Sequence, residues 1–197
     1  MAIPDTDDPI ALFKQWLDDA SNSPAIAEPT AMTLATVDEQ GDPAARIVLL
    51  KGCDETGFTF YTNLQSPKAR QLTHHPRASL CFYWMPLDRQ VRVTGGVEPV
   101  TDAEADAYFA SRPRLSQIGA WASQQSQPLE GRYELERRIA SYTARFHVGK
   151  VPRPEFWSGF RLRPERIEFW LKQSYRLHDR VLYTAEGQRW QRQRLYP

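Results

Sequence analysis

Apolar residues near the start of the chain recur at helical spacing. Ile10, Phe13 and Leu17 share one face of a helix that the pattern predicts over Pro9–Ala20. Asp8 is a suitable N-cap for it, and a proline at the first helical position lacks an N–H that would otherwise stay unpaired. An amphipathic helix therefore opens the fold.

Most of the apolar residues that follow alternate with polar ones, which is the pattern of half-buried β-strands. A turn at 38–42 joins the first two strands into a hairpin, and Gly95–Gly96 predicts a bulge or bend within the fifth. The predicted strands are Ala31–Val37, Ala44–Lys51, Gly57–Thr62, Ala78–Trp84, Gln90–Glu98, Gly159–Leu162, Arg166–Leu171, Arg180–Thr184 and Arg189–Leu195.

Helices are predicted in the gaps between these strands. Ser66–Pro67 opens a short one, and the capping box Thr101–Glu104 opens another that runs to about Ser111. A further short helix begins near Pro113, and Leu129–His147 has the apolar spacing of a longer one. Short strands with a helical insertion after the fifth predict a mainly β fold of the α+β class. We expect an antiparallel barrel, closed or nearly closed, with helices packed outside.

The composition is that of one globular domain, which we place over residues 1–197 with a flexible segment at 1–8. The formal net charge of +1 creates no field for nucleic acid or an anionic membrane, so neither is expected as a partner. No run approaches about 20 apolar residues, and the acidic start of the chain lacks the features of a signal peptide.

The positions of the cysteines and the number of arginines limit the kinds of site that the chain can form. Cys53 and Cys81 are far apart and form no CxxC motif, so we expect no disulfide framework, no metal site and a reducing cytoplasm. Of the 25 cationic residues, 20 are arginine, the side chain best suited to bidentate contact with phosphate or carboxylate. A GC-rich genome would produce the same bias.

An Arg-rich segment, Arg176–Arg180, follows Trp170 and an apolar strand. If this segment is a strand, Arg176, His178 and Arg180 share one face. Adjacent cations repel unless an anion lies against them, so a bound phosphate or an electron-rich cofactor is the natural counter-charge. The ordinary alternative is a strand whose cations lie in water.

Two other places have the chemistry of anion sites. Arg46 and Lys51 flank an apolar run and would face opposite sides of a regular strand, so they serve one site only through a bend, or they contact different ligands. The helix that starts after Ser66 carries Lys68 in its first turn, where free backbone N–H groups favour an anion. Ordinary strand-end charges and an exposed surface helix are the alternatives.

A third group lies around the break at Pro113. Tyr108 and Arg112 are four residues apart on one helix face, and Ser116 follows the break. A phenol, a guanidinium and a hydroxyl make a reasonable phosphate clamp, which Lys51 would complete.

These segments together resemble the pyridoxine (pyridoxamine) 5'-phosphate oxidase family, in the right order from about Asp8 to Pro197. The matching segments are Arg46–Lys51, Phe60–Asn63, Arg89–Val91, Ser111–Arg114, Ser116–Trp121, Gln125–Ser126, Trp170, Arg176–Arg180 and Arg194–Pro197. The resemblance implies a split barrel that binds FMN and works as a homodimer with FMN at the subunit interface. It also implies oxidation of pyridoxamine or pyridoxine 5'-phosphate to pyridoxal 5'-phosphate, with O2 reduced to H2O2.

The resemblance also implies a role for each candidate site residue. Arg176 and His178 would lie over the pyridine ring and assist the reacting carbon. The residues implied for the substrate are Lys51, Tyr108, Arg112, Ser116, Arg176, Leu177 and His178. The residues implied for FMN are Arg46, Ile47, Val48, Leu49, Leu50, Lys51, Tyr61, Thr62, Lys68, Gln90, Gln125, Ser126, Trp170 and Arg180.

The chain departs from the family pattern in three places, the least of which is Glu28, where relatives can carry Asp and the carboxylate is kept. Pro67 stands where a second basic residue is usual, and the acidic start replaces a basic and aromatic segment that often closes over the substrate in relatives. Two alternatives remain. One is another flavin oxidase or reductase of the same barrel, such as the phenazine-pathway oxidases, which lack the segments at 111–114 and 116–121. The other is a non-enzymatic Arg-rich binder of polyanions, for which the sequence shows no basic patch.

Overall fold

The structure is a computed structural model that describes residues 2–197, and over that range the chain forms five α-helices and nine β-strands. The helices are α1 (Pro9–Ser21), α2 (Pro67–His74), α3 (Asp102–Ser111), α4 (Arg114–Ala122) and α5 (Glu134–Arg145). The strands are β1 (Ala31–Val37), β2 (Pro43–Leu49), β3 (Gly52–Asp54), β4 (Gly57–Asn63), β5 (Arg77–Trp84), β6 (Arg89–Pro99), β7 (Trp157–Leu171), β8 (Asp179–Glu186) and β9 (Arg189–Arg194). Short 3-10 turns lie at Met85–Leu87 and Ser174–Arg176.

The strands form one curled antiparallel sheet in the order β2-β1-β5-β6-β7-β4-β3, with β8 added to β7 and β9 added to β8. The central strand is β7. One of its edges pairs with β6 over almost its whole length, whereas the other pairs first with β4 and then with β8. The predicted mainly β architecture, an antiparallel split barrel with peripheral helices, is confirmed.

The prediction of two separate strands at 159–162 and 166–171 was wrong, because β7 runs unbroken through both. Pro164 lies between the β4-paired and β8-paired parts of β7, where its missing N–H breaks no bond to either strand. On the other edge, the predicted bulge is present at Thr94/Gly95. A Cβ on Gly95 would lie 1.9 Å from the carbonyl oxygen of Arg163, so only glycine fits there.

Helix α1 closes the core of the curled sheet. The carboxylate of Asp8 accepts the N–H groups of Ile10 and Ala11, each at 2.9 Å, which confirms the predicted N-cap. Phe13 is fully buried, and its ring centroid lies 4.8 Å from that of Phe58 in an edge-on contact. Aromatic packing of this kind fixes the helix against the sheet.

Helices α3, α4 and α5 lie over a second, smaller apolar cluster that includes Phe109, Ile118 and Trp157. The capping box at the start of α3 forms as predicted, between Thr101 and Glu104. Helix α5 is shorter than the predicted 129–147, because bends and turns occupy 130–133, where Gly131 disfavours a helix.

The start of the chain, predicted to be flexible, contacts the sheet over the residues described. Ile3 is only 2% exposed, and its N–H donates to a carboxylate oxygen of Asp179 at 2.8 Å. The hydroxyl of Tyr183 donates to the carbonyl of Thr6 at 2.7 Å. Within residues 2–197, no helix is both long enough and apolar enough to cross a membrane.

Candidate cofactor and substrate site

A cleft of about 650 Å³ opens between β2, β4, the start of α2 and the α3–α4 turn. Its walls contain three cations, Lys51, Lys68 and Arg112, and no carboxylate among the described lining residues. Positive charge without acidic neighbours favours an anionic ligand. The predicted site residues that the cleft brings together are Ile47, Val48, Leu49, Lys51, Tyr61, Thr62, Lys68, Tyr108, Arg112, Ser116 and Gln125.

Arg46 on β2 is held in place by neutral oxygens. Its Nη1 donates to the carbonyl of Leu34 at 3.2 Å and to the hydroxyl of Thr36, and its Nη2 donates to Oε1 of Gln71 at 3.0 Å. Burial lowers the pKa of Arg46, because the charged form loses hydration. The guanidinium is therefore fixed in direction while its charge stays uncompensated.

Lys68, in the first turn of α2, is held in the same way. Its ammonium donates to the side-chain oxygens of Thr62 (3.3 Å), Ser66 (3.2 Å) and Gln125 (2.9 Å). Burial lowers the pKa of Lys68, and the nearby charge of Arg46 lowers it further. Neither cation forms an ion pair with any described residue. Lys68 in the first turn of α2, with the charge of Arg46 nearby, makes this region favourable for an anion.

The hydroxyl of Ser66 does not act as the side-chain cap that its position suggests. It accepts from Lys68 instead. Pro67 has no N–H, and the N–H groups of Ala69 and Arg70 donate to the carbonyl of Ser66, so within the described chain the backbone N–H of Lys68 stays available to a ligand.

Arg112 supplies the positive charge at the other part of the cleft. Its guanidinium lies over the ring of Trp157, 4.8 Å from the centroid, and burial lowers its pKa. Its Nη1 is buried and has no hydrogen-bond partner within the described chain. Because an unpaired buried donor is costly, this nitrogen points to a missing anionic acceptor.

Trp157 was not among the predicted site residues. It stacks on Tyr61, with ring centroids 5.5 Å apart, and Tyr61 in turn stacks on Tyr108 at 4.1 Å. The three rings line one part of the cleft, and the guanidinium of Arg112 lies over the ring of Trp157. The pairing of Asn63 with Trp157 between β4 and β7 creates this arrangement, and nothing local in the sequence signals it.

Gln71 was missed as well. It lies three residues after Lys68 on α2, so the two side chains fall on neighbouring parts of one helix face. That spacing was the only available signal, since a glutamine on a short polar helix ordinarily faces water.

A second group of predicted residues lies on the far part of the sheet. Trp170 on β7 pairs with Gln90 on β6 and with Arg180 on β8. The ring of His178 lies 4.6 Å from that of Trp170, between centroids. Arg180 is bound by a buried carboxylate: its Nε and Nη2 donate to Oε1 of Glu168 at 2.9 and 2.8 Å.

The interpretation of Arg176–Arg180 as a strand was wrong. Ser174–Arg176 forms a 3-10 turn, and β8 begins only at Asp179. Tyr175 and Arg176 both have positive φ, at 57° and 63°, so the backbone reverses here and strand alternation does not apply. Arg176, His178 and Arg180 therefore do not share a strand face, although His178 and Arg180 both lie beside Trp170.

The two groups lie at opposite ends of β7. Gly159 pairs with Tyr61 at the cleft, and Trp170 follows it by eleven residues, which corresponds to a path of up to about 36 Å along the strand. Among the described residues, none of Gln90, Trp170, Arg176, Leu177, His178 or Arg180 lines the first cleft. One copy of the chain therefore does not bring all the predicted residues to one ligand.

Two further predicted residues occupy other positions. The side chain of Leu50 belongs to the core and is 4% exposed, so only its backbone can face a ligand. Ser126, with φ of 67°, lies after α4 and lines a neighbouring cleft of about 430 Å³ together with Gln125.

Comparisons with known proteins agree over nearly the whole chain. The family model described as pyridoxamine 5'-phosphate oxidase matches residues 20–146, and the one described as pyridoxine 5'-phosphate oxidase C-terminal dimerisation region matches residues 157–197. The pyridoxine/pyridoxamine 5'-phosphate oxidase of Azorhizobium caulinodans is 61% identical over 193 residues, which cover 97% of this chain and 91% of that protein. The protein of the same name from Rhodospirillum rubrum is 57% identical over 195 residues, covering 96% of each.

A solved structure also matches this chain over nearly its whole length. PhzG from Burkholderia lata, in complex with tetrahydrophenazine-1-carboxylic acid, matches with a TM-score of 0.91 and 33% identity, covering 98% of this chain and 94% of that one. Sequence models, full-length relatives and architecture all converge, and this chain belongs to the pyridoxamine 5'-phosphate oxidase family.

Proposed function

We propose that this protein is an FMN-dependent oxidase that converts pyridoxamine or pyridoxine 5'-phosphate to pyridoxal 5'-phosphate, with O2 reduced to H2O2. With the amine substrate, water is consumed and ammonia is released. One observation carries the proposal: two cationic groups without carboxylates, Arg46 with Lys68 and Lys51 with Arg112, lie in or beside one cleft. A flavin mononucleotide and a phosphorylated substrate together require two phosphate subsites in one place.

The residues present fit FMN. Arg46, Lys68 and the first turn of α2 would hold its phosphate, because their donors face no competing carboxylate in the described chain. Thr62 and Gln125, already bonded to Lys68, would lie beside the bound cofactor. When bound, FMN would supply the redox chemistry, as the hydride acceptor for C4' of the substrate and the electron donor to O2.

The second phosphate subsite would hold the substrate. The guanidinium of Arg112 is preset by its contact with Trp157, and its unpartnered Nη1 would donate to a phosphate oxygen. Lys51 adds an exposed ammonium, and the side chains of Tyr108 and Ser116 add hydroxyl donors in the same cleft. These contacts fix the position of the ring without taking part in bond breaking.

A second copy of the chain would complete the site. The segment 157–197 matches a dimerisation region and carries Trp170, Arg176, His178 and Arg180, which lie far from the cleft of their own chain. We therefore propose a homodimer in which this group faces the cleft of the other copy. Arg176 and Leu177 are exposed and free to meet the substrate there.

His178 would act on the substrate through its Nε2 atom. Its Nδ1 accepts the backbone N–H of Gln173 at 3.2 Å, so in the neutral ring the proton resides on Nε2. Nε2–H is then a hydrogen-bond donor to the substrate and not a base. Arg176 would place positive charge beside the reacting carbon.

The compartment proposed for this reaction is the cytoplasm, which is supported by two cysteines that remain free thiols.

Purification and anaerobic reduction test the proposal. We expect a yellow dimer with about one FMN per chain, bleached by pyridoxamine 5'-phosphate without oxygen and recoloured by air. Pyridoxamine without its phosphate and a reduced phenazine carboxylate are the controls. A colourless protein that takes up no FMN would refute the assignment, and bleaching by the phenazine alone would favour the alternative oxidase of the same fold.

A further inference from the structure

We propose that Gln71 is a positioning residue that makes the site select FMN over riboflavin, because it fixes Arg46 with an uncharged oxygen. The inference rests on the proposed placement of the FMN phosphate beside Arg46 and Lys68. Gln71 would then contribute to the selectivity for the phosphorylated cofactor without touching the cofactor itself.

The contacts of Gln71 are those of an orienting group. Its Oε1 accepts from Nη2 of Arg46 at 3.0 Å and from the hydroxyl of Thr36 at 2.7 Å. Thr36 is 3% exposed, and its oxygen in turn accepts from Nη1 of Arg46. The three side chains thus close a small ring of hydrogen bonds that sets the plane of the guanidinium.

This ring leaves part of Arg46 available. Within residues 2–197, the structure gives no partner to Nε of Arg46, and Nη2 donates only to Gln71. Nε and the second hydrogen of Nη2 can therefore donate to an incoming phosphate oxygen. Loss of Gln71 would release the guanidinium into several rotamers, which must be ordered again on binding.

The neutrality of Gln71 matters as much as its geometry. A carboxylate at this position would accept the same two hydrogen bonds but would cancel the charge that attracts the phosphate. Arg180 shows the contrast within the same protein, because it is held by a charged group, the buried carboxylate of Glu168. At the proposed phosphate subsite, Lys68 likewise donates to an uncharged oxygen, Oε1 of Gln125.

Substitutions at Gln71 separate charge from geometry. Gln71→Glu keeps an acceptor of the same length, and Gln71→Ala removes it. We expect Gln71→Glu to weaken FMN binding about 10- to 100-fold, and Gln71→Ala to weaken it several-fold. Riboflavin has no phosphate, so both variants should bind it within twofold of the parent protein.

The measurement is a fluorescence titration of the full-length apo-protein with FMN and with riboflavin. Gln40→Glu is the matched control, because it adds the same charge at an exposed position in the β1–β2 turn, which neither lines the cleft nor belongs to the segment 157–197. Circular dichroism and the oligomeric state establish that each variant is folded. Thr36→Val offers a second route, since it removes the buried hydroxyl at nearly constant volume and should also lower the affinity for FMN but not for riboflavin.

Three results overturn the inference. They are equal losses of FMN and riboflavin affinity, a Gln71→Glu variant that binds FMN like the parent, and a Gln71→Ala variant that loses more FMN affinity than Gln71→Glu. Lys68→Ala distinguishes this failure from failure of the proposed placement. If Lys68→Ala leaves the ratio of FMN to riboflavin affinity unchanged, the phosphate lies elsewhere and the proposed placement is wrong. If Lys68→Ala lowers this ratio strongly but Gln71→Glu does not, the placement stands and only the role of Gln71 is wrong.

Discussion

Replacement of Arg112 by alanine tests the proposed substrate subsite most directly. The guanidinium lies over Trp157 and keeps a buried nitrogen without a partner in the described chain, so it is preset for an anion. A charge-assisted hydrogen bond contributes about 1.5–3 kcal/mol, which corresponds to a loss of affinity of roughly 10- to 150-fold. Because a phosphate contact is made equally in the ground and transition states, the rate at saturating substrate should change little.

Lysine at the same position should give an intermediate result. Arg112→Lys keeps the charge but loses the planar fork and most of the stacking on Trp157. We expect its affinity to fall between those of the parent and the alanine variant.

Anaerobic stopped-flow reduction over a range of pyridoxamine 5'-phosphate concentrations measures the substrate affinity and the limiting reduction rate separately. The dissociation constant should rise in Arg112→Ala while the limiting reduction rate stays within about threefold of the parent. Arg114→Ala is the matched control, because Arg114 donates to the carbonyls of Phe146 and Gly149 and does not line the cleft. A limiting rate that falls tenfold or more with unchanged affinity would refute the reasoning and place Arg112 next to the reacting carbon.

Three further predictions concern other parts of the molecule. His178→Ala should stay yellow but slow flavin reduction, and His178→Gln should restore part of the rate because its amide supplies an N–H; loss of FMN from both variants would contradict this. Pro67→Arg should tighten FMN binding several-fold in a fluorescence titration by adding a charge-assisted hydrogen bond at the start of α2, and unchanged binding would mean the phosphate is already satisfied. Hydrogen bonds from the backbone N–H of Thr101 and, second, from the side chain of Arg161 lower the pKa of Glu104 from 4.5 to about 2. The contribution of the ionised Glu104 to the stability of the fold is therefore present above about pH 4.5 and is lost towards pH 2. Glu104→Gln should flatten that part of the pH dependence in urea unfolding, and an unchanged pH dependence would count against the role of this carboxylate.

Local signals in the sequence were enough for most of the secondary structure. The N-cap at Asp8 and the capping box at Thr101 each depend on residues within a few positions of each other. The glycine pair at 95–96 marked the bulge, although the contact that requires glycine there, with Arg163, is long-range. Such signals report backbone preference and nearby hydrogen bonds, which the chain determines by itself. The same is true of the signal behind the proposed phosphate subsite at the start of α2, since a helix N-terminus with a lysine in its first turn is a local feature.

Prediction was wrong where long-range pairing decided the conformation. β7 is one strand because β6 supports it along one edge, although Pro164 interrupts the local pattern. The segment at Arg176 turns instead of extending, because β8 must reverse to pair with β7 and two consecutive residues take positive φ to allow it. Neither outcome is visible in residues that are neighbours in the chain.

The sequence by itself determined the types of residue that the site uses and the order in which they occur. Only the tertiary structure decided which of them meet: it joined Arg46 to Gln71 and Trp157 to Arg112, and it placed Trp170 and His178 at the far end of β7. The physical reason is that hydrogen-bond capacity and charge belong to each residue, whereas proximity follows from the register of strands far apart in the chain.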